Sequence, residues 1–110
     1  MLSKSTLHLY SHPPTEDEIR AWIGLRATDG LGKEIGKISG VIAGDNAFPY
    51  WLVVQHRTHH RLVPALDAAA GAGAVFLPYE HDVIESAPQV SSGVEPNQQT
   101  LQRAAEHYGV

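Results

Sequence analysis

Residues 24–54 constrain the fold more than any other part of the chain. They open with Leu25-Arg26-Ala27-Thr28, turn through Asp29-Gly30-Leu31-Gly32, and continue as Glu34-Ile35-Gly36-Lys37-Ile38-Ser39-Gly40-Val41-Ile42-Ala43. Asp-Gly between two apolar runs is a hairpin signal, because glycine enters the positive-φ conformations of a tight turn without steric cost. Past the turn the pattern has period two, with Gly36, Ile38, Gly40 and Ile42 on one face and Lys37 and Ser39 on the other. Glycines at alternate positions predict a strand that bends sharply or admits another backbone, as small barrels require. The next run, Tyr50-Trp51-Leu52-Val53-Val54, follows Pro49 and is apolar on both faces. A strand with no polar face is buried on both sides. One face therefore fills an interior, and the other needs a helix or a second subunit over it.

The remaining chain is read around that unit. Strands are expected at residues 25–28, 34–43, 50–55, 61–64 and 74–77. Residues 1–14 form an N-terminal arm, 15–88 the main domain, and 89–110 a linker and an amphipathic helix. Thr15 and Glu18 have the spacing of a capping box ahead of a short helix, whose apolar residues are Ile19, Trp22 and Ile23. Residues 66–70 are predicted to form one helical turn ended by Gly71 and Gly73. Residues 81–86 predict a short helix stopped by Pro88. The last helix starts at Glu95 or Pro96, carries Leu101, Ala104, Ala105 and Tyr108 on one face, and has Gly109 at its C-cap.

Asp29-Gly30, Ile35-Gly36-Lys37-Ile38, a bend and Trp51-Leu52-Val53-Val54 together resemble the PRC-barrel family. Arg61-Leu62-Val63-Pro64 is similar to that family's fourth strand, and Val75-Phe76-Leu77-Pro78-Tyr79 to its last core strand. The tail, with Val83-Ile84-Glu85-Ser86-Ala87-Pro88 and Glu106-His107-Tyr108-Gly109-Val110, is similar to small stand-alone actinobacterial members. The resemblance covers residues 23–110. It implies an all-β-dominated small barrel with short flanking helices and a C-terminal helix. The family includes a domain of the photosynthetic reaction-centre H subunit and a domain of a ribosome maturation factor, and no catalytic motif defines it. The implied function is a non-enzymatic protein–protein interaction or regulatory module. An RNA-processing or ribosome-assembly adaptor is one alternative, by analogy with the maturation factor, and a histidine-based metal-binding protein is the other.

Charge and cysteine content narrow the classes. With 8 basic and 12 acidic residues, the chain lacks the positive excess of a sequence-independent nucleic-acid binder. It has no cysteine, so disulfides and thiolate metal sites are excluded. The N-terminal residues lack a signal-peptide apolar core, and no run has membrane-spanning length. A cytoplasmic protein without a cofactor is the expectation.

The chemical candidates are few. His56, His59 and His60 form the one concentrated set of metal-ligating side chains. Alternation on a strand points His59 and His60 to opposite faces, so convergence needs a helical turn or a tight loop. Gly30, Gly32 and Gly36-Lys37 are followed by a strand rather than a helix, which makes them a turn and not a phosphate loop. His81 and Glu85 are four apart, a surface-pair spacing. If Leu52 and Val54 point inward, Trp51 and Val53 point outward. They then either form an interface with Leu101 and Tyr108 in a homodimer or with an unidentified protein partner, or lie beneath the C-terminal helix.

Overall fold

The computed structural model describes residues 14–44, 50–91 and 96–109. The chain begins with helix α1 (Glu16–Ala21), closed at its start by the expected capping box. Thr15 Oγ1 accepts from the Glu18 amide at 3.2 Å and Glu18 Oε1 accepts from the Thr15 amide at 2.8 Å. Strands β1 (Arg26–Thr28), β2 (Glu34–Ala43), β3 (Tyr50–His56) and β4 (His59–Pro64) follow, and then β5 (Ala69–Gly71) and β6 (Ala74–Phe76). Helices α2 (His81–Glu85) and α3 (Gln98–Tyr108) complete the described chain. The strands make one mixed sheet in the order β4-β3-β2-β1-β6-β5. All neighbours are antiparallel except β1 and β6, which are parallel. The sheet is open, with β4 and β5 as its edges. Of the expected arm at residues 1–14, residues 1–13 lie outside the described residues.

Strand β2 shapes this sheet through two irregularities in register. Against β1, Gly36 faces Ala27 but Glu34 faces Thr28, so Ile35 is an extra residue. Against β3, Ile38 faces Val54 and Gly40 faces Val53, so Ser39 is extra. Each extra residue shifts the side-chain alternation by one. Ile35, Ile38 and Val41, spaced by three, all join one core, while Ile42 joins the opposite face. The expected period-two face containing both Ile38 and Ile42 is therefore corrected: the bulge at Ser39 separates them. The Ser39 hydroxyl donates to the Val53 carbonyl at 3.3 Å across that bulge. Gly36 has φ +150° and approaches β3 so closely that an added Cβ would lie 2.3 Å from the Gln55 carbonyl oxygen. The prediction that a β2 glycine admits another backbone thus has its location.

Two apolar layers flank the sheet. On one face Ala27, Ile35, Ile38, Leu52, Val54, Val63 and Val75 pack with Ile19 and Trp22 from the α1 region and Ile84 of α2. Ile23 is not part of this face; the helix has already ended and the side chain is 47% exposed. On the other face Trp51, Val53 and Leu62 pack against Ala104, with Leu101, Ala105 and Tyr108 beside them. Helix α3 starts at Gln98, two or three residues later than the expected Glu95 or Pro96. Asn97 is its N-cap, its side chain accepting from the Thr100 amide at 2.8 Å, so Pro96 lies before the helix rather than in its first turn. Gly109 closes it in the left-handed region at φ 74°.

Residues 66–70 do not form the predicted helical turn. A turn at Leu66 and Asp67 leads into β5, which pairs with β6 in register Ala69↔Phe76, Ala70↔Val75 and Gly71↔Ala74. Ala72 and Gly73 join the two strands with φ 54° and 78°, the sign that a two-residue hairpin requires. A single isolated helical turn has few bonds for the residues it orders, whereas the hairpin extends a ladder already formed.

The turn at residues 29–33 is held by Asp29, the one buried charged side chain among the described residues. Its Oδ1 accepts from the Leu31 and Lys33 amides, each at 2.9 Å. The positive φ of this turn belongs to Gly32, at 83°, and not to Gly30. Gly30 instead donates its amide to the Tyr79 carbonyl at 2.8 Å. The backbone bond from Lys33 is the main cause that holds the Asp29 carboxyl below its ordinary value of 3.8, helped by the Leu31 amide and the nearby charges of His81 and Lys33 against the opposing effect of burial. A lowered folded-state value means stability that is present above the unfolded-state pKa and lost as pH falls through the folded-state value. Asp29→Asn keeps an acceptor but cannot titrate. The stability difference between wild type and Asp29→Asn, measured by urea unfolding, is expected to shrink as pH falls below about 4. Parallel pH profiles for the two proteins would contradict this assignment.

Candidate functional site

Strand β3 turns into β4 through Arg57 and Thr58, which places His56 directly across from His59. Arg57 occupies the left-handed region at φ 59°, uncommon for a residue with a side chain. Alternation from Val54 puts His56 on the first core's face, and alternation along β4 puts His59, Arg61 and Val63 there as well. Helix α2 lies against β4 and brings Ile84 and Glu85 toward these residues. The result is a cleft of about 260 Å³ at the end of the first core, lined by Ile35, Val54, Ile84, His56, Arg57, His59, Arg61 and Glu85.

Its polar groups are partly fixed by neighbours. Arg61 Nη1 donates to the Ala87 carbonyl at 2.9 Å, and His59 Nδ1 lies 3.0 Å from Gln89 Oε1. Glu85 Oε2 lies 3.3 Å from His81 Nε2 and 3.9 Å from His56 Nδ1. These side chains are all between about a third and a half exposed, so the pairs orient the groups more than they stabilise the fold. His81 Nδ1 is buried and without a hydrogen-bond partner. The expected i, i+4 pairing of His81 with Glu85 is present, and His56 joins it from another element. That third member was not legible, because sequence spacing carries no information on which hairpin end meets α2.

The three histidines considered as metal ligands are not brought together. His56 and His59 are cross-strand partners, but His60 pairs with Gln55 and lies on the other face. The tight hairpin supplies the loop that convergence needed, and it joins His59 rather than His60 to His56. Among the described residues no group of three or more His, Asp or Glu side chains is placed to hold a metal ion.

The four residues considered as a contact surface meet one another within the chain. Trp51 is 2% exposed and Val53 7%, both beneath α3 with Leu101 and Tyr108 in the same cluster. Of the two arrangements open for Trp51, the one beneath the C-terminal helix is the one adopted. A helix of this length is marginal alone. Truncating a buried aromatic costs about 3–5 kcal/mol, so covering Trp51 is a sufficient reason for α3 to dock. Tyr108 fastens the helix: its hydroxyl donates to the Leu62 carbonyl at 2.6 Å, and its ring meets Tyr79 edge-on with centroids 4.8 Å apart. Burial, with Tyr79 nearby, pushes the Tyr108 phenol well above its ordinary value, so it acts as a donor throughout the usual pH range.

No protein-family model, curated protein or solved structure matches the chain.

Tyr108→Phe removes the donor from the Leu62 carbonyl while keeping the ring. The expected loss is about 1–2 kcal/mol of unfolding free energy, read by denaturant titration. A loss near zero would show that α3 is not clipped to β4 through this bond.

Proposed function

We propose that this chain is a non-enzymatic interaction or regulatory module of the PRC-barrel type, and that it self-associates through the open sheet edge at β5. The resemblance of residues 23–110 supports the family reading; the strand-rich sheet with short flanking helices agrees with the expected β-dominated class, while the sheet is open rather than closed into the expected barrel. The interface suggested by the sequence is used within the chain, so the contact is sought elsewhere.

One observation carries the choice of edge. All three residues of β5 are exposed, and its outer side has no strand beside it among the described residues. The opposite edge is different. There the Leu62 amide donates to Pro88, the Val90 amide donates to His60, and Arg61 bridges to Gln89, so residues 88–90 cover β4. An edge strand without a charged residue or proline is a template for another strand. β5 reads Ala-Ala-Gly and has neither guard. Its surroundings add apolar area, since Phe76, paired with Ala69, is 40% exposed and Leu66 39%. A second copy suits this edge because antiparallel pairing of β5 with itself is two-fold symmetric and brings no like charges from the strand together.

In a two-residue hairpin the residues flanking the turn exchange both hydrogen bonds, so Ala70, one position back, directs its N–H and C=O outward. Ala70→Pro removes that outward donor and leaves the bonds to β6. Light scattering coupled to size exclusion is expected to show a dimer fraction that rises with concentration for the wild type and is lost in Ala70→Pro, with unchanged circular dichroism. A wild type that stays monomeric at every concentration, or a proline variant that dimerises equally, would overturn the reading.

A further inference from the structure

The cleft beside the β3–β4 hairpin belongs to the other end of the sheet from β5 and takes no part in the proposed self-association. We propose that it is a binding site for a small organic acid, with the acid group held by Arg57 and Arg61 and a short apolar body against Ile84 and its neighbours.

Three observations lead there. The first is charge. Arg20 and Arg26 each have a carboxylate partner, Glu16 and Glu34, at 2.8 and 3.6 Å. Arg57 and Arg61 have none among the described residues, although both line the same cleft. Two guanidiniums against the single carboxylate of Glu85 leave the cleft cationic before any imidazole is protonated. The second is preorganisation. The bond from Arg61 Nη1 to the Ala87 carbonyl fixes one arm of the guanidinium, and the rest of its planar fork matches the two oxygens of a carboxylate. The left-handed conformation of Arg57 is a cost in a hairpin that any glycine would remove, and it sets this side chain at the cleft. The third is shape. Ile35, Val54 and Ile84 make an apolar floor under the charged rim. At about 260 Å³ the cleft is slightly smaller than the usual ligand pocket, which selects a short body over a nucleotide or a sugar phosphate.

Among the described residues, Glu85 is the one carboxylate in the cleft lining. It is turned toward His56 and His81. An anion in the cleft is attracted by the two guanidiniums and repelled by this carboxylate.

The test is a titration of the full ¹⁵N-labelled chain followed by amide and imidazole chemical shifts. Sodium butyrate is the acid probe, butyramide its neutral counterpart, and inorganic phosphate an anion without an apolar body. Butyrate is expected to produce saturable shifts at the hairpin and α2, with butyramide and phosphate both weaker at the same residues. Arg57→Gln lies on an exposed turn and is expected to weaken butyrate about tenfold, the size of one charge-assisted hydrogen bond. Glu85→Gln removes the repelling charge and is expected to tighten it. No saturable shift with butyrate, equal binding of butyramide or of phosphate, or an Arg57→Gln variant with unchanged affinity would overturn the proposal. Because β5 is remote from this cleft in the sheet order, loss of the acid site leaves the dimer reading standing, and a monomeric wild type leaves the acid site standing.

Discussion

Strand β2 has to bond to β1 on one side and β3 on the other while its two faces serve different cores. A regular strand of ten residues would place every second side chain on one face. The extra residues at Ile35 and Ser39 change that, and three apolar side chains spaced by three reach the same core. Bulges also bend and twist a strand locally. The close approach of Gly36 to the Gln55 carbonyl lies between the two bulges, where only a residue without Cβ fits. Strands β1 and β3, and through β1 the β6–β5 hairpin, take their places from this one element.

The two-sided burial of β3 follows from the same arrangement. Leu52 and Val54 complete the first core, and Trp51 and Val53 are left on the far face. The chain covers them with α3, whose apolar stripe is matched to them and whose Tyr108 reaches the Leu62 carbonyl on β4. Tyr108 also packs against the first core, so the C-terminal helix is tied to both layers. Self-coverage of Trp51 takes that face out of the candidate contact surfaces. The proposed surfaces are instead the bare backbone of β5 at one edge and the cationic cleft near the other.

How much was legible depended on whether a residue's role is local. The capping box at Thr15 and Glu18, the bounds of β2, and the Gly109 cap are set by neighbouring residues, and they read directly from the chain. The split of Ile38 from Ile42 was not legible, because a bulge arises from pairing with another strand and leaves no mark in the alternation itself. β5 was missed because alanine and glycine carry neither periodicity nor strand propensity, and the positive φ of Ala72 and Gly73 is visible only in the folded turn. The parallel pairing of β1 with β6 joins segments nearly fifty residues apart and has no local signature. At the cleft, the hairpin that pairs His56 with His59 follows from register. The meeting of that hairpin with Glu85 follows from the packing of α2. Neither could be obtained by counting residues between histidines.

The functional account rests most heavily on β5 being an edge that a second copy completes. Hydrogen exchange at the Ala70 amide tests this most directly, because that N–H belongs to no bond within the hairpin. Exchange that slows steeply as protein concentration rises, while amides in the interior of β2 and β3 stay unchanged, is the predicted result. An Ala70 amide that exchanges at the same fast rate at all concentrations would contradict it, and would leave β5 as a bare edge with no partner of its own kind.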